Sequence, residues 1–327
     1  MADYKDIVGT AVRNNAGVMT SAKTGELFYD STNLNFIYRN PNVTSAGAWR
    51  TGGIMNTGRV ELAGAGTQTA GLMFGGSPGT GKTESYNGAT FSEVADLNTA
   101  RNGLGGAGAS NTSALAFGGG APADTAVTAN TEVWNGSGWT EVNNLNTARH
   151  FSGDAGNATA ALVVSGDTGS LSVDVESWNG TSWTEIANVN VARELGASNG
   201  TTTSSLFYGG TPGSGSVANN ESWNGTAWSE VADLNTARRQ FGPGATGSST
   251  SGLVFGGETP GAANVANVET FNGTSWSAFS DLSVARRGGI GAGANTASGL
   301  FSGGNPDTDA TEEYTSPLVA VKTVDID

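Results

Sequence analysis

Six copies of one spacing constrain this chain more than anything else in it: an aromatic residue followed ten positions later by an arginine. The pairs are Trp49/Arg59, Phe91/Arg101, Trp139/Arg149, Trp183/Arg193, Trp228/Arg238 and Trp276/Arg286, so the arginines recur every 42 to 48 residues. A Gly-rich period in the forties marks a β-propeller or a related array, whose units are small sheets that bury their faces only against their neighbours. Six units can close a ring. Function is constrained far less, because one scaffold serves many functions.

Each repeat divides into four strands. A Gly-rich stretch follows the arginine, as at Gly105-Gly106-Ala107-Gly108, and then a short polar turn. An apolar run ending in Gly-Gly comes next, as at Leu72 to Gly76 and Leu206 to Gly210, with Ser replacing one Gly at Leu162 to Gly166. Short apolar runs bounded by Gly fit buried strands. After a variable loop comes Glu-x-aromatic, six times, and in five copies an Asn-Gly follows at once. Asn-Gly between strands predicts a hairpin, because both residues tolerate positive φ. The next aromatic opens the fourth strand.

The Gly-Gly, the Glu-x-aromatic, the aromatic of strand four and the arginine ten residues later together resemble the kelch repeat. That resemblance implies a six-bladed kelch-like β-propeller of all-β class over residues 47–316. It implies no particular ligand, and the Asn-Gly hairpins and the high Gly, Ser and Thr content depart from the usual kelch pattern. The unit at Trp49 lacks a Gly-Gly strand before it, and the unit ending at Thr315 lacks a fourth strand. The last blade is therefore predicted to be closed by the N-terminal strand, which also pairs an otherwise open edge. Both ends of the ring should then leave by the face opposite the variable loops.

Charged residues make up only 13 % of the chain, yet arginine and glutamate recur in step with the repeat. Arg59, Arg101, Arg149, Arg193, Arg238 and Arg286 are predicted to be buried and to bind Glu84, Glu132, Glu176, Glu221, Glu269 and Glu312 or loop carbonyls. The alternative is an exposed arginine ring that binds a ligand.

The net charge of −14 argues against nucleic acid and anionic membrane as partners. The chain has no cysteine, no apolar h-region near its start and no apolar run of membrane-spanning length. Residues 1–46 stand outside the repeat. Gly25 to Asn33, followed by Phe36-Ile37-Tyr38, reads as a hairpin with an Asp-Ser-Thr-Asn turn. This phrase resembles segments of bacteriophage tail and fibre proteins. The resemblance implies an anchoring segment that binds other virion proteins. A plain strand pair extending the closing blade is the simpler alternative. Residues 317–327 read as a tail.

Several motifs tempt and fail. Gly76-Ser77-Pro78-Gly79-Thr80-Gly81-Lys82-Thr83 matches the phosphate-loop pattern, but a strand and hairpin follow it where a helix must begin. Ser165-Gly166-Asp167-Thr168-Gly169 starts like the Asp-box of sialidase propellers but lacks its Thr-Trp ending and occurs once. The single histidine, His150, cannot build a copper site of the galactose oxidase kind; a Ser-His-Asp set would have to use that same residue, and nothing in the sequence points to one. Asn-Gly-Ser/Thr triplets such as Asn179-Gly180-Thr181 also match glycosylation sequons, but the hairpin explains them. The expectation is a module without catalytic activity or cofactor, acting as a structural or binding component of a virion. Its variable loops would meet a host glycan or a neighbouring protein. Rival expectations are a free sugar-binding propeller, extracellular or cytoplasmic, and a glycan-cleaving enzyme.

Overall fold

The structure, a computed structural model, describes residues 13–15, 27–30, 35–39, 48–121, 126–243, 248–295, 298–306, 309–315 and 321–324. It divides into a unit spanning Trp49–Thr315 and a unit built from both chain ends, Met1–Ala48 with Ser316–Asp327.

The larger unit is a six-bladed β-propeller of antiparallel four-stranded sheets. Blade I comprises Ala63–Thr67, Ala70–Phe74, Thr83–Tyr86 and Phe91–Val94, and blade II comprises Gly105–Ser110, Ser113–Phe117, Thr131–Trp134 and Trp139–Val142. Blades III, IV and V start at Gly153, Ala197 and Gly242. Blade VI takes Ile290–Asn295, Ser298–Ser302 and Thr311–Thr315 from the end of the ring, and Ala48–Thr51 from its start, as the sequence predicts. The Gly52 amide donates to the Thr311 carbonyl at 2.8 Å, and the Trp49 and Tyr314 rings meet at 5.5 Å. The same ring pair spans strands three and four elsewhere, as at Trp178–Trp183 (5.4 Å) and Trp223–Trp228 (5.4 Å).

Apolar placement explains the layering. Second strands such as Ala160–Val164 are buried along nearly their whole length, whereas fourth strands bury their opening aromatic and expose the next two residues. That aromatic packs on the last apolar residue of strand two in the preceding blade: Phe74 meets Trp139 at 4.9 Å, Phe117 meets Trp183 at 5.0 Å and Phe255 meets Trp49 at 5.1 Å. Such pairs contribute roughly 0.5–1.5 kcal/mol each beyond the area they bury. The first strands crowd the axis. A Cβ at Gly106 would lie 2.9 Å from the Gly64 carbonyl oxygen, so a side chain there would push neighbouring blades apart.

The hairpins differ in detail from the sequence expectation. Four residues separate the paired aromatics, as between Trp178 and Trp183, and of each Asn-Gly only the Gly has positive φ, 91° at Gly180. Asn179 acts through its side chain, whose Oδ1 accepts from the amides of Thr181 (2.9 Å) and Ser182 (2.9 Å). The asparagine is selected as a turn cap rather than for left-handed backbone.

In the smaller unit, Leu27–Asp30 pairs antiparallel with Asn35–Arg39, with Leu27 opposite Tyr38. The turn between them lies outside the described residues. The two strands belong to a sheet of their own, not to the closing blade: Arg13–Asn15 lies parallel to Leu27–Asp30, and Val321–Val324 pairs with Asn35–Arg39. The C-terminal stretch thus contains a strand. The described residues contain no helix, and so none long and apolar enough to cross a membrane.

Candidate functional site

Two sets of residues recur in every blade around the connections that lead from strand four to the next strand one. The deeper set is charged. All six repeat arginines are fully buried, and each meets the glutamate of the blade it enters: Arg59–Glu84 (2.8 Å), Arg101–Glu132 (2.8 Å), Arg149–Glu176 (2.9 Å), Arg193–Glu221 (2.9 Å), Arg238–Glu269 (2.5 Å) and Arg286–Glu312 (2.9 Å).

Nothing around the pair is left over. The Arg149 Nη1 donates to the Ser165 and Asp174 carbonyls, at 3.0 and 2.8 Å. The Glu176 carboxylate accepts from the Asn146 amide (2.7 Å), from the Asn146 side chain (2.9 Å) and from the Thr147 amide (3.2 Å). Burial pulls the Arg193 guanidinium below its ordinary value and Glu221 pushes it back. A buried charge is tolerated when its partners are this complete. None of the six arginines is exposed to a ligand.

The second set surrounds the axis. Two residues after each arginine stands one in the left-handed region: Glu61 (φ 56°), Gly103 (57°), Phe151 (51°), Leu195 (56°), Gln240 (52°) and Gly288 (68°). Their backbones form a closed ring of hydrogen bonds. The amide of Gly103 donates to Glu61, Phe151 to Gly103, Leu195 to Phe151, Gln240 to Leu195, Gly288 to Gln240 and Glu61 to Gly288, all between 2.7 and 2.9 Å. A left-handed L-residue costs about 1–2 kcal/mol, and four of the six are not glycine. Held strain of this kind concentrates at functional sites. Every amide and carbonyl named is spent within the ring, so the chemistry offered at the axis belongs to side chains.

Those side chains divide the mouth. Gln240 reaches past Gly288, its Nε2 donating to Glu61 Oε1 at 3.4 Å. The Phe151 ring lies over Gly103, where an added Cβ would fall 2.5 Å from it. One side of the mouth is therefore an amide and a carboxylate, and the other is Phe151 and Leu195. Below them the cavity reaches Asp154. This acid stands in strand one at the register of Gly64 and Gly106, and its Oδ2 accepts the Gly106 amide at 2.9 Å. Burial raises its carboxyl to about 7, and the amide opposes that only in part.

An outer rim is made by the residue just after each arginine, which bridges to the residue just after each Gly-Gly, or after Ser165-Gly166 in blade III. Blade V presents Arg239 against Glu258 at 2.6 Å. Blade III presents His150 against Asp167, Nε2 to Oδ2, at 3.4 Å. Burial first, and then the Asp167 charge, raise the Glu194 carboxyl in the next connection.

Topology puts mouth, rim and variable loops on one face, with the one-to-two turns and the hairpins on the other. Thr315 pairs with Ser298 beside a one-to-two turn, so the ring's chain both enters and leaves at the hairpin face. Residues 122–125 of the Gly120–Thr131 loop and 307–308 of the last loop lie outside the described residues. The phosphate-loop-like segment is an interstrand loop: Lys82 gives its carbonyl to Arg59 (2.6 Å), and its ammonium meets Glu93 (3.0 Å).

Sequence reasoning passed over the axial ring and Asp154. Two glycines among six equivalent positions hint at positive φ, and Asp154 interrupts a run of small residues. No protein-family model matches the chain, and no curated protein matches it significantly.

Proposed function

We propose that this chain is a non-enzymatic recognition module, and that its axial mouth and variable loops bind a ligand while the unit made from both chain ends attaches it to a larger assembly. The carrying observation is the axial ring, where four non-glycine residues accept left-handed backbone and surround a mouth that is half amide and carboxylate and half aromatic and aliphatic. An aromatic face beside hydrogen-bonding side chains suits a sugar, whose ring has apolar C–H faces and polar edges. The kelch-like repeat pattern agrees with a binding propeller. The resemblance of residues 25–38 to tail and fibre segments makes a bacteriophage virion the favoured setting, with other virion proteins bound through residues 1–46 and a host surface glycan at the mouth.

The test is glycan-array and host-surface binding by the full chain and by a Phe151→Ala/Gln240→Ala variant. Binding lost in the variant with an unchanged melting temperature supports the reading. Equal binding by both would overturn the assignment to the mouth.

A second reading, glycan cleavage, draws on Asp154, whose carboxyl near 7 has the protonation range of a general acid. Release of reducing sugar by the wild type, abolished by Asp154→Asn, would replace the first reading.

A further inference from the structure

The rim repeats one arrangement with two opposite charge patterns. In blade V the Glu258 carboxylate is held by Arg239 of its own blade at 2.6 Å and by Arg287 of the next connection. In blade III the equivalent carboxylate is Asp167, its own-blade partner is His150, and the residue arriving from the next connection is Glu194. Where blade V receives a guanidinium, blade III receives a second carboxylate.

One ligand atom from each of His150, Asp167 and Glu194 lies within 4.8 Å of the others. We propose that these three residues form a binding site for a first-row divalent transition-metal ion such as Zn²⁺ or Mn²⁺, which takes the place that the Arg287 guanidinium fills in blade V.

The chemistry of the set supports this. Burial and then the Asp167 charge raise the Glu194 carboxyl, the neighbouring Arg239 guanidinium offsets this only in part, and a divalent ion between the two carboxylates would remove the repulsion. An imidazole nitrogen beside carboxylate oxygens favours zinc and its neighbours over magnesium or calcium, which prefer all-oxygen surroundings. Three protein ligands leave at least one position for water or a bound oxygen atom. The side chains keep partial access to solvent, 13 % at His150 and 29 % at Asp167, so an ion can enter. His150 and Asp167 lie in blade III and Glu194 leads into blade IV, so the ion would bridge adjacent blades. His150 and Glu194 immediately precede Phe151 and Leu195 of the mouth, yet the site does not depend on ligand recognition there.

The experiment is calorimetric titration of the metal-free full-length chain with ZnCl₂, MnCl₂ and MgCl₂, with melting curves at each endpoint. Saturable binding of one Zn²⁺ or Mn²⁺ per chain, with a raised melting temperature, is expected. His150→Asn and Glu194→Gln should each weaken that binding at least tenfold. Glu194→Arg copies the blade V arrangement; it should abolish binding while the metal-free protein melts no lower than wild type. No saturable binding, undiminished binding by the variants, or a preference for Mg²⁺ would each overturn the proposal.

Discussion

The Glu61 amide donates to the Gly288 carbonyl at 2.7 Å and thereby joins the first connection of the propeller to the last. This bond completes the axial ring in the same sense as its five counterparts. The propeller is consequently fastened twice: at the axis by Glu61 and Gly288, and at the perimeter by Ala48–Thr51 in blade VI.

The ring separates recognition from stability. Leu195→Gly and Phe151→Gly remove side chains from the mouth but suit the left-handed backbone better. Relief of about 1–2 kcal/mol offsets the lost contacts and the extra freedom of the unfolded chain. Each variant should melt close to wild type by calorimetry while losing ligand affinity. A collapse of the melting temperature would show that these side chains serve packing instead.

The deeper set should behave in the opposite way. Arg193→Ala leaves Glu221 buried without its counter-charge and strips the Gly209 and Asn219 carbonyls of a donor. Breaking a buried pair costs about 3–5 kcal/mol. Denaturant titration should register a loss of that size, with Glu221→Gln milder because its amide still fills the pocket. Unchanged stability in Arg193→Ala would contradict a structural role for the pair.

Asp154 sets a pH dependence. Its folded carboxyl is raised to about 7 from an unfolded value of about 4, so the folded state holds the proton more tightly. Folding is therefore penalised progressively as pH rises from about 4 to about 7, and by a constant amount above that. Asp154→Asn should equal wild type near pH 4 and melt higher at pH 8, with the gap opening between. A gap independent of pH would mean that charge is not the cause.

Deleting residues 1–40 removes Arg13–Asn15, Leu27–Asp30 and Asn35–Arg39 but spares the closing strand Ala48–Thr51. The propeller should still fold, by circular dichroism and cooperative melting, while incorporation into particles is lost. Replacing the Gly120–Thr131 loop should spare incorporation and weaken recognition. Normal incorporation after the deletion would sink the anchoring role.

Much of the fold was legible because it is written six times. Blade number, strand order and the closing role of Trp49 all follow from counting which units lack a Gly-Gly strand and which lack a fourth. The step between Arg193 and Glu221 was legible for the same reason, since charge is scarce in this chain. The axial ring was not. It is a backbone property, and Phe151, Leu195 and Gln240 share φ rather than chemistry, so no residue type marks them. Asp154 was hidden because one carboxylate among many gains meaning only when burial is known. Glu194 beside Asp167 depended on the distance between neighbouring blades, which no single repeat encodes.

Five blades turn between strands three and four through an Asn-Gly loop, and the sixth has instead the two ends of the propeller, Thr315 and Trp49. The propeller is in effect a closed circle opened at one hairpin, so that its first and last strands meet in one blade. Because the other five hairpins present the same paired aromatics on the same face, each is an equivalent place to open the circle. Circular permutants opened at Asn87-Gly88 or Asn179-Gly180, with the native cut sealed by an Asn-Gly linker, would move the propeller's chain ends, and any foreign cargo fused to them, to another point of the perimeter. The same six blades would still enclose the same mouth.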